Sequence, residues 1–241
     1  MNEKPRQVKK RHVRGLIIFL TLFFVFSVFT VFYVIERSKH AVFVYADHLD
    51  EAVLTIDGTD VTLREFGYYI HEMEGYVQRQ ALIYDPDDPK KYWNTHYSAG
   101  MDSTYMFDYA KKTALANCVF DHVYANDARG EGMLLSPEGT EKAETETGMF
   151  FSGVSAAQRE ITGLTQEIVL DTEMRKALAA EYIRNFASRE DVSGYGGTPA
   201  EVLSYDGAYY RQVILPKHTI EYHEDLIDHL RFGTITVNRA A

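Results

Sequence analysis

The chain has 241 residues with 25 Lys+Arg against 35 Asp+Glu, a formal net charge of −10. Eight of the basic residues but only two of the acidic ones fall in the first 40 positions, so residues 41–241 carry −16. An acidic body of that kind is repelled by phosphate backbones, which removes nucleic acid from the partners, and a single cysteine, Cys118, excludes an intramolecular disulfide.

Residues 1–14 are a basic tail carrying Lys4, Arg6, Lys9, Lys10, Arg11 and Arg14. From Gly15 to Ile35 no charge occurs, and the only hydroxyls belong to Thr21, Ser27, Thr30 and Tyr33. At about 1.5 Å rise per residue a helix over 15–35 spans roughly 30 Å, the hydrocarbon thickness of a lipid bilayer. A cleaved signal peptide has a shorter apolar region closed by a small-x-small site. Here Glu36, Arg37, Ser38, Lys39 and His40 follow instead. The reading is an uncleaved signal anchor that crosses the cell membrane once. The basic tail outweighs Arg37 and Lys39, which puts the N-terminus in the cytoplasm and everything past the anchor outside it.

Residues 36–50 are a juxtamembrane segment. In 51–193 the pattern becomes helical after one hairpin. Val53-Leu54-Thr55-Ile56 and Val61 flank Asp57-Gly58, a dipeptide suited to the positive φ of a tight turn. Thr62-Leu63-Arg64-Glu65 is a capping-box sequence, with Val61 and Phe66 placed as a hydrophobic staple. Phe66, Tyr69, Ile70, Met73, Val77, Ala81 and Tyr84 then recur at helical spacing, predicting an amphipathic helix over 63–84. Asp85-Pro86 ends it, and a loop with Tyr92, Trp93 and Tyr97 follows.

A second long helix is expected from about Ser103 to Arg129, with Cys118 as a small buried hydrophobe on its apolar stripe. Ser136-Pro137-Glu138 opens a third to about Met149, Ser155 to Gln158 a short one, and Thr165 caps another over 166–187. Residues 194–207 read as a linker opened by Gly194-Tyr195-Gly196-Gly197. In 208–241 a strand is expected over Ala208–Leu215, a helix over Tyr222–Phe232 and a last strand over Thr234–Val237.

Patterns that carry catalysis or metal binding are missing. His71-Glu72 lacks a second histidine four positions on, so it reads as a solvated helix face and not a zinc motif. His218, His223 and His229 are spaced five and six apart, which does not stack ligands on a helix. There is no Gly-x-Ser-x-Gly elbow and no phosphate loop. Catalytic residues, metal ligands and cofactors are therefore expected to be none. The 17 tyrosines and 14 phenylalanines stand out more. Tyr68, Tyr69, Tyr76 and Tyr84 on the first helix, with Tyr92, Trp93 and Tyr97 after it, are either core or the lining of a peptide-holding groove.

Val53 to Phe66 resembles the opening of the SurA/PrsA-type extracytoplasmic foldases, whose chaperone domain begins with a strand, an x-Gly turn and a Thr-capped helix. Leu164-Thr165-Gln166-Glu167, ahead of a long Ala/Leu-containing helix, resembles the last helix of that domain. Arg211 to Leu215 and Asp225 to Gly233 echo the start of the parvulin-type prolyl isomerase domain that often follows, with Val213 where the family has histidine. Only that opening is present before Ala241, so the resemblance implies chaperone function without isomerase activity.

The expectation is thus a mainly α protein: a transmembrane helix, an all-helical chaperone-like domain with a small β-hairpin, and a short C-terminal strand-helix-strand. The expected role is to bind unfolded or secreted polypeptides at the membrane exterior. The competing reading is an anchored accessory subunit of a cell-envelope complex, bound to one specific envelope protein.

Overall fold

A computed structural model describes residues 19–32, 43–99 and 102–237 and divides the chain into two units, 1–43 and 44–241. The expected anchor lies partly outside the described residues. Its described part, residues 19–32, is a helix (α1) with exposed Phe19, Phe23, Phe24, Phe26, Phe29 and Phe32. Ser27 and Thr30 donate their hydroxyls to the carbonyls of Phe23 and Phe26, each at 2.8 Å, so these polar groups are satisfied by their own helix. Among the described residues, no helix is long and apolar enough to cross a membrane.

The second unit is mainly helical. After a 3-10 turn at Tyr45–His48, strands β1 (Ala52–Ile56) and β2 (Thr59–Thr62) form the expected hairpin. Asp57 (φ 51°) and Gly58 (φ 80°) supply its two positive angles. Helix α2 runs over Leu63–Tyr84, the range that cap and period predict, and the Thr62 hydroxyl accepts from the Glu65 amide at 3.2 Å. Only half of the capping box forms, because the Glu65 carboxylate turns to His122 and Arg175 on other helices. Phe66, Ile70 and Val77 on its inner face are wholly or almost wholly buried, each stabilising the fold by roughly 1.5–3 kcal/mol.

The expected loop after α2 is structured. It holds α3 (Lys90–Trp93) and an antiparallel pair, β3 (His96–Ala99) and β4 (Asp102–Tyr105), so helix α4 starts at Met106 and ends at Gly130. Helices α5 (Pro137–Gly153), α6 (Ala156–Thr162) and α7 (Gln166–Arg189) begin at Ser136, Ser155 and Thr165, each accepting a backbone hydrogen bond as N-cap. Helix α4 packs against α2 and α7, and α7 also against α5. This is the core of the unit.

Residues 193–237 depart from expectation. The stretch read as linker carries a 3-10 turn, Ser193–Tyr195, and helix α8 (Pro199–Val202) with a complete Thr198/Glu201 capping box. Ala208–Leu215 is helical where a strand was expected, with a π-turn at Tyr210–Ile214. Helical spacing buries Tyr210 and Ile214 together, Tyr210 meeting Phe120 and Tyr124 with ring centroids 5.3 and 5.4 Å apart. A strand in the same register would also have buried Gln212, which lies exposed. Tyr222–Phe232 is not one helix: Ile220–Tyr222 is strand β5, paired antiparallel to β1 in the order β2-β1-β5, and only Glu224–Ile227 (α9) is helical.

Thr234–Val237 is no strand either. Its amides turn inward to a carboxylate. Glu74, fully buried in the middle of α2, accepts from the backbone amides of Gly233, Ile235 and Thr236 and from the Thr236 hydroxyl. Gly233 (φ +85°) lies so close to Trp93 that a Cβ there would stand 2.6 Å from the ring. Gln158 completes the clasp by donating to the Thr236 carbonyl at 3.0 Å.

Replacing Glu74 by alanine leaves these amides unsatisfied and is expected to lower the unfolding free energy by roughly 3 kcal/mol in urea titrations. Gly233→Ala should cost a comparable amount through the Trp93 clash and the positive φ. Because both loosen one loop, the double variant should lose less than the two single losses combined.

Candidate functional site

The seven aromatic residues singled out from the sequence divide into two sets. Tyr68, Tyr69 and Trp93 are core, at 2, 4 and 5% exposure. The Tyr68 hydroxyl donates to Glu173 and accepts from Lys176, Tyr69 donates to Asp121 at 3.1 Å, and Trp93 Nε1 donates to Gln78 at 3.0 Å. The other four reach solvent. Tyr76 is 50% and Tyr84 66% exposed, while Tyr92 and Tyr97 are half-buried.

These four belong to one surface. On α2, Tyr76, Gln80, Ile83 and Tyr84 fall within one ~100° arc, and Ile83 is 78% exposed. Tyr84 meets Tyr92 of α3 at 5.3 Å between centroids. At the other end of the arc, Tyr97 of β3 meets Tyr109 of α4 at 4.2 Å. The phenols of Tyr76 and Tyr97 both lie close enough to Tyr205 to raise its pKa, after burial as the first cause. Burial likewise lifts Tyr109, so both phenols stay neutral and can donate or accept. Tyr105 and Phe107 stack with planes 9° apart, and Tyr105, paired with His96, lies on the side of the hairpin opposite to Tyr97.

Ile83, Tyr109 and Tyr205 were missing from the sequence expectation. Ile83 carries a legible i, i+7 signal with Tyr76 on α2, but Tyr205 belongs to a stretch read as linker and is recruited only by the fold. Phe66, Ile70 and Val77 bury the inner side of α2, and the Met106 amide, bonded to the Thr95 carbonyl at 2.9 Å, closes the ladder of the β3–β4 hairpin where α4 begins.

Beneath α2 lies a network of charges shared with α4 and α7. Arg175 Nη1 stands 2.6 Å from Glu65 and His122 Nε2 3.1 Å from the same carboxyl oxygen. Burial pushes the Glu65 carboxyl up, but the His122 contact and the Arg175 charge outweigh it and hold it below the usual range. Asp121 is different: burial dominates over the pull of Lys176 and Tyr69 and raises its carboxyl to about 6. A cavity of about 350 Å³ between α4, α5 and α7 is lined by Asp121, Glu146, Glu173, Lys142 and Lys176 over an alanine-rich floor. Lys176 is held by Glu173 and Tyr68, so its charge is spent within the fold.

Nothing in this network assembles a nucleophile with a base. Burial raises the Cys118 thiol well above its usual value, which suppresses the thiolate. Among the described residues no group of three His, Cys, Asp or Glu side chains is placed to hold a metal ion. The three C-terminal histidines go to separate partners: His218 lies between Asp57 at 2.8 Å and Asp127 at 3.3 Å, His223 reaches Thr55 at 3.0 Å, and His229 the Asp225 carbonyl at 2.7 Å. His71, expected on a solvated face, is half-buried with its ring 4.8 Å from that of Phe150.

Compared with known protein families, with characterised proteins and with solved structures, the chain has no match.

The raised Asp121 pKa sets a sign. A carboxyl whose folded value of about 6 exceeds its ordinary 3.8 holds its proton more tightly in the native state, so its contribution is present below 3.8 and lost as pH rises through 6. Asp121→Asn keeps an acceptor for Tyr69 and removes the ionisation. It should raise stability at pH 7 by on the order of 1 kcal/mol and leave stability at pH 3.5 unchanged, as read by thermal melts at both pH values.

Proposed function

We propose that this protein is a membrane-anchored, extracytoplasmic chaperone that binds unfolded or exported polypeptides through its tyrosine-rich surface and has no prolyl isomerase activity. The observation that carries this reading is the exposed arc of Tyr76, Ile83 and Tyr84 on α2, continued by Tyr92 and Tyr97. Tyrosine offers apolar area with one hydrogen-bonding tip and few rotors to freeze, which suits weak, reversible contact with varied extended chains. The −16 charge of residues 41–241 keeps such a surface soluble and favours basic clients.

The anchor rests on the uncharged run from Gly15 to Ile35 and on the hydroxyls of Ser27 and Thr30 being satisfied within α1, as a hydrocarbon environment demands. The resemblance to SurA/PrsA-type foldases agrees with this reading at the β1–β2 hairpin and the capped start of α2. Against isomerase activity stands Val213, which lies in a helical turn where that catalytic domain opens with a strand.

The purified chain, held in detergent or a lipid disc, should suppress aggregation of unrelated unfolded proteins at near-stoichiometric amounts. Ile83→Ser combined with Tyr84→Ser should weaken that suppression about tenfold while changing unfolding free energy by under about 0.5 kcal/mol, since both side chains are exposed. Unchanged aggregation together with co-purification of one envelope protein would replace this reading with a dedicated subunit.

A further inference from the structure

The three-stranded sheet ends at β5, and its register shows what that edge presents. Leu54 pairs with Tyr222, Thr55 with Glu221 and Ile56 with Ile220. The Asp57 amide donates to the Thr219 carbonyl at 2.9 Å and the His223 amide to the Val53 carbonyl at 3.0 Å. The narrow, hydrogen-bonded positions of this ladder are therefore 219, 221 and 223. In an antiparallel pair the residues between them turn their amide and carbonyl groups to the other side. Ile220 and Tyr222 thus direct two donors and two acceptors away from β1, and among the described residues no backbone pairs with them.

Beside this edge is a hollow of about 320 Å³ between the first half of α4 and the C-terminal segment. Leu115, Tyr222 and Ile227 form its apolar wall, and Lys111 braces it by donating to the Ile227 carbonyl at 3.2 Å. Tyr222 and Ile220 stand on the same sheet face as their partners Leu54 and Ile56, which are fully buried. A further strand would run about 4.8 Å beyond β5, and its side chains on that face would point toward α4. The hollow occupies the place such a side chain needs, and Tyr222 at its mouth is 44% exposed.

We propose that the free edge of β5 is a strand-addition site, at which an extended polypeptide pairs with Ile220 and Tyr222 and sets one apolar side chain against Leu115 and Ile227. An extended backbone is the occupant because it alone repeats donors and acceptors at the spacing of that edge. Asp108, Glu224 and Asp228 on the rim outnumber Lys112, with Lys111 already engaged, so the residues flanking the inserted side chain are basic. The hollow shares no lining residue with the tyrosine surface, and the proposal does not depend on that surface.

Hydrogen exchange on the full chain provides the test, with a short end-capped peptide alternating lysine and valine around one phenylalanine as the probe. Adding the peptide should slow exchange of the Ile220 and Tyr222 amides by at least about tenfold. The same peptide N-methylated on alternate residues along the edge that faces β5 should give no protection. Leu115→Trp, which fills the hollow, should weaken binding about tenfold, whereas Ile83→Ser with Tyr84→Ser should leave it unchanged. Equal protection by the methylated peptide, protection confined to α2, or no protection at all would overturn the proposal. Protection that grows with protein concentration in the absence of peptide would overturn it as well, by assigning the edge to a second copy of the chain.

Discussion

The Glu74 carboxylate sits in the middle of α2, cut off from water, and gathers three amides and a hydroxyl from residues 233–236. Burial raises its pKa while those four donors draw it back down, so the group is tolerable only while the loop stays folded around it. From that point the ties spread: Gly233 presses on Trp93 of α3, Gln158 of α6 holds the Thr236 carbonyl, and the preceding residues return to the sheet as β5. One carboxylate thereby joins the beginning and the end of the second unit. The position of β5, and with it the free sheet edge, depends on this closure.

A second organising feature is the sharing of charges beneath α2. Glu65 serves as a helix-start residue by sequence, yet its side chain goes to His122 and Arg175 on α4 and α7. Leaving the capping box half-formed costs a local hydrogen bond and gains an ion pair that fixes α2 against two other helices. In the last turn of α2, Ile83 and Tyr84 stand exposed while Ala81 is fully buried. A packed side and an exposed side thus coexist in one turn of the helix. A surface that binds varied chains by weak contact benefits from it, because little ordering is needed on binding.

The aromatic set shows how far a sequence pattern reaches. Tyr68, Tyr76 and Tyr84 are spaced by eight, which rotates each about 80° from the last on a 3.6-residue helix. Spacing shows that they cannot all face the same way. It does not show which of them meets a neighbour, and that depends on where α4, α5 and α7 lie alongside. Tyr68 is buried against Phe150, with ring centroids 5.0 Å apart, while Tyr84 meets Tyr92 and stays 66% exposed. Tyr205 joins the surface from more than a hundred residues away, beyond the reach of any local rule.

What the sequence determined by itself was what short-range physics controls: the Asp57-Gly58 turn, the Leu63–Tyr84 helix, the caps at Ser136, Ser155 and Thr165, and the predominance of helix. Each depends on groups within four residues of one another, so their spacing along the chain is their spacing in space. The course of residues 208–237 was decided by tertiary structure. Residues 208–215 are β-prone but become helical to bury Tyr210 and Ile214 together, Ile220–Tyr222 become a strand because β1 has an open side, and Thr234–Val237 lose strand form to a carboxylate on α2. In each case the deciding partner lies far away in sequence, and a backbone donor or an apolar side chain goes where that partner stands.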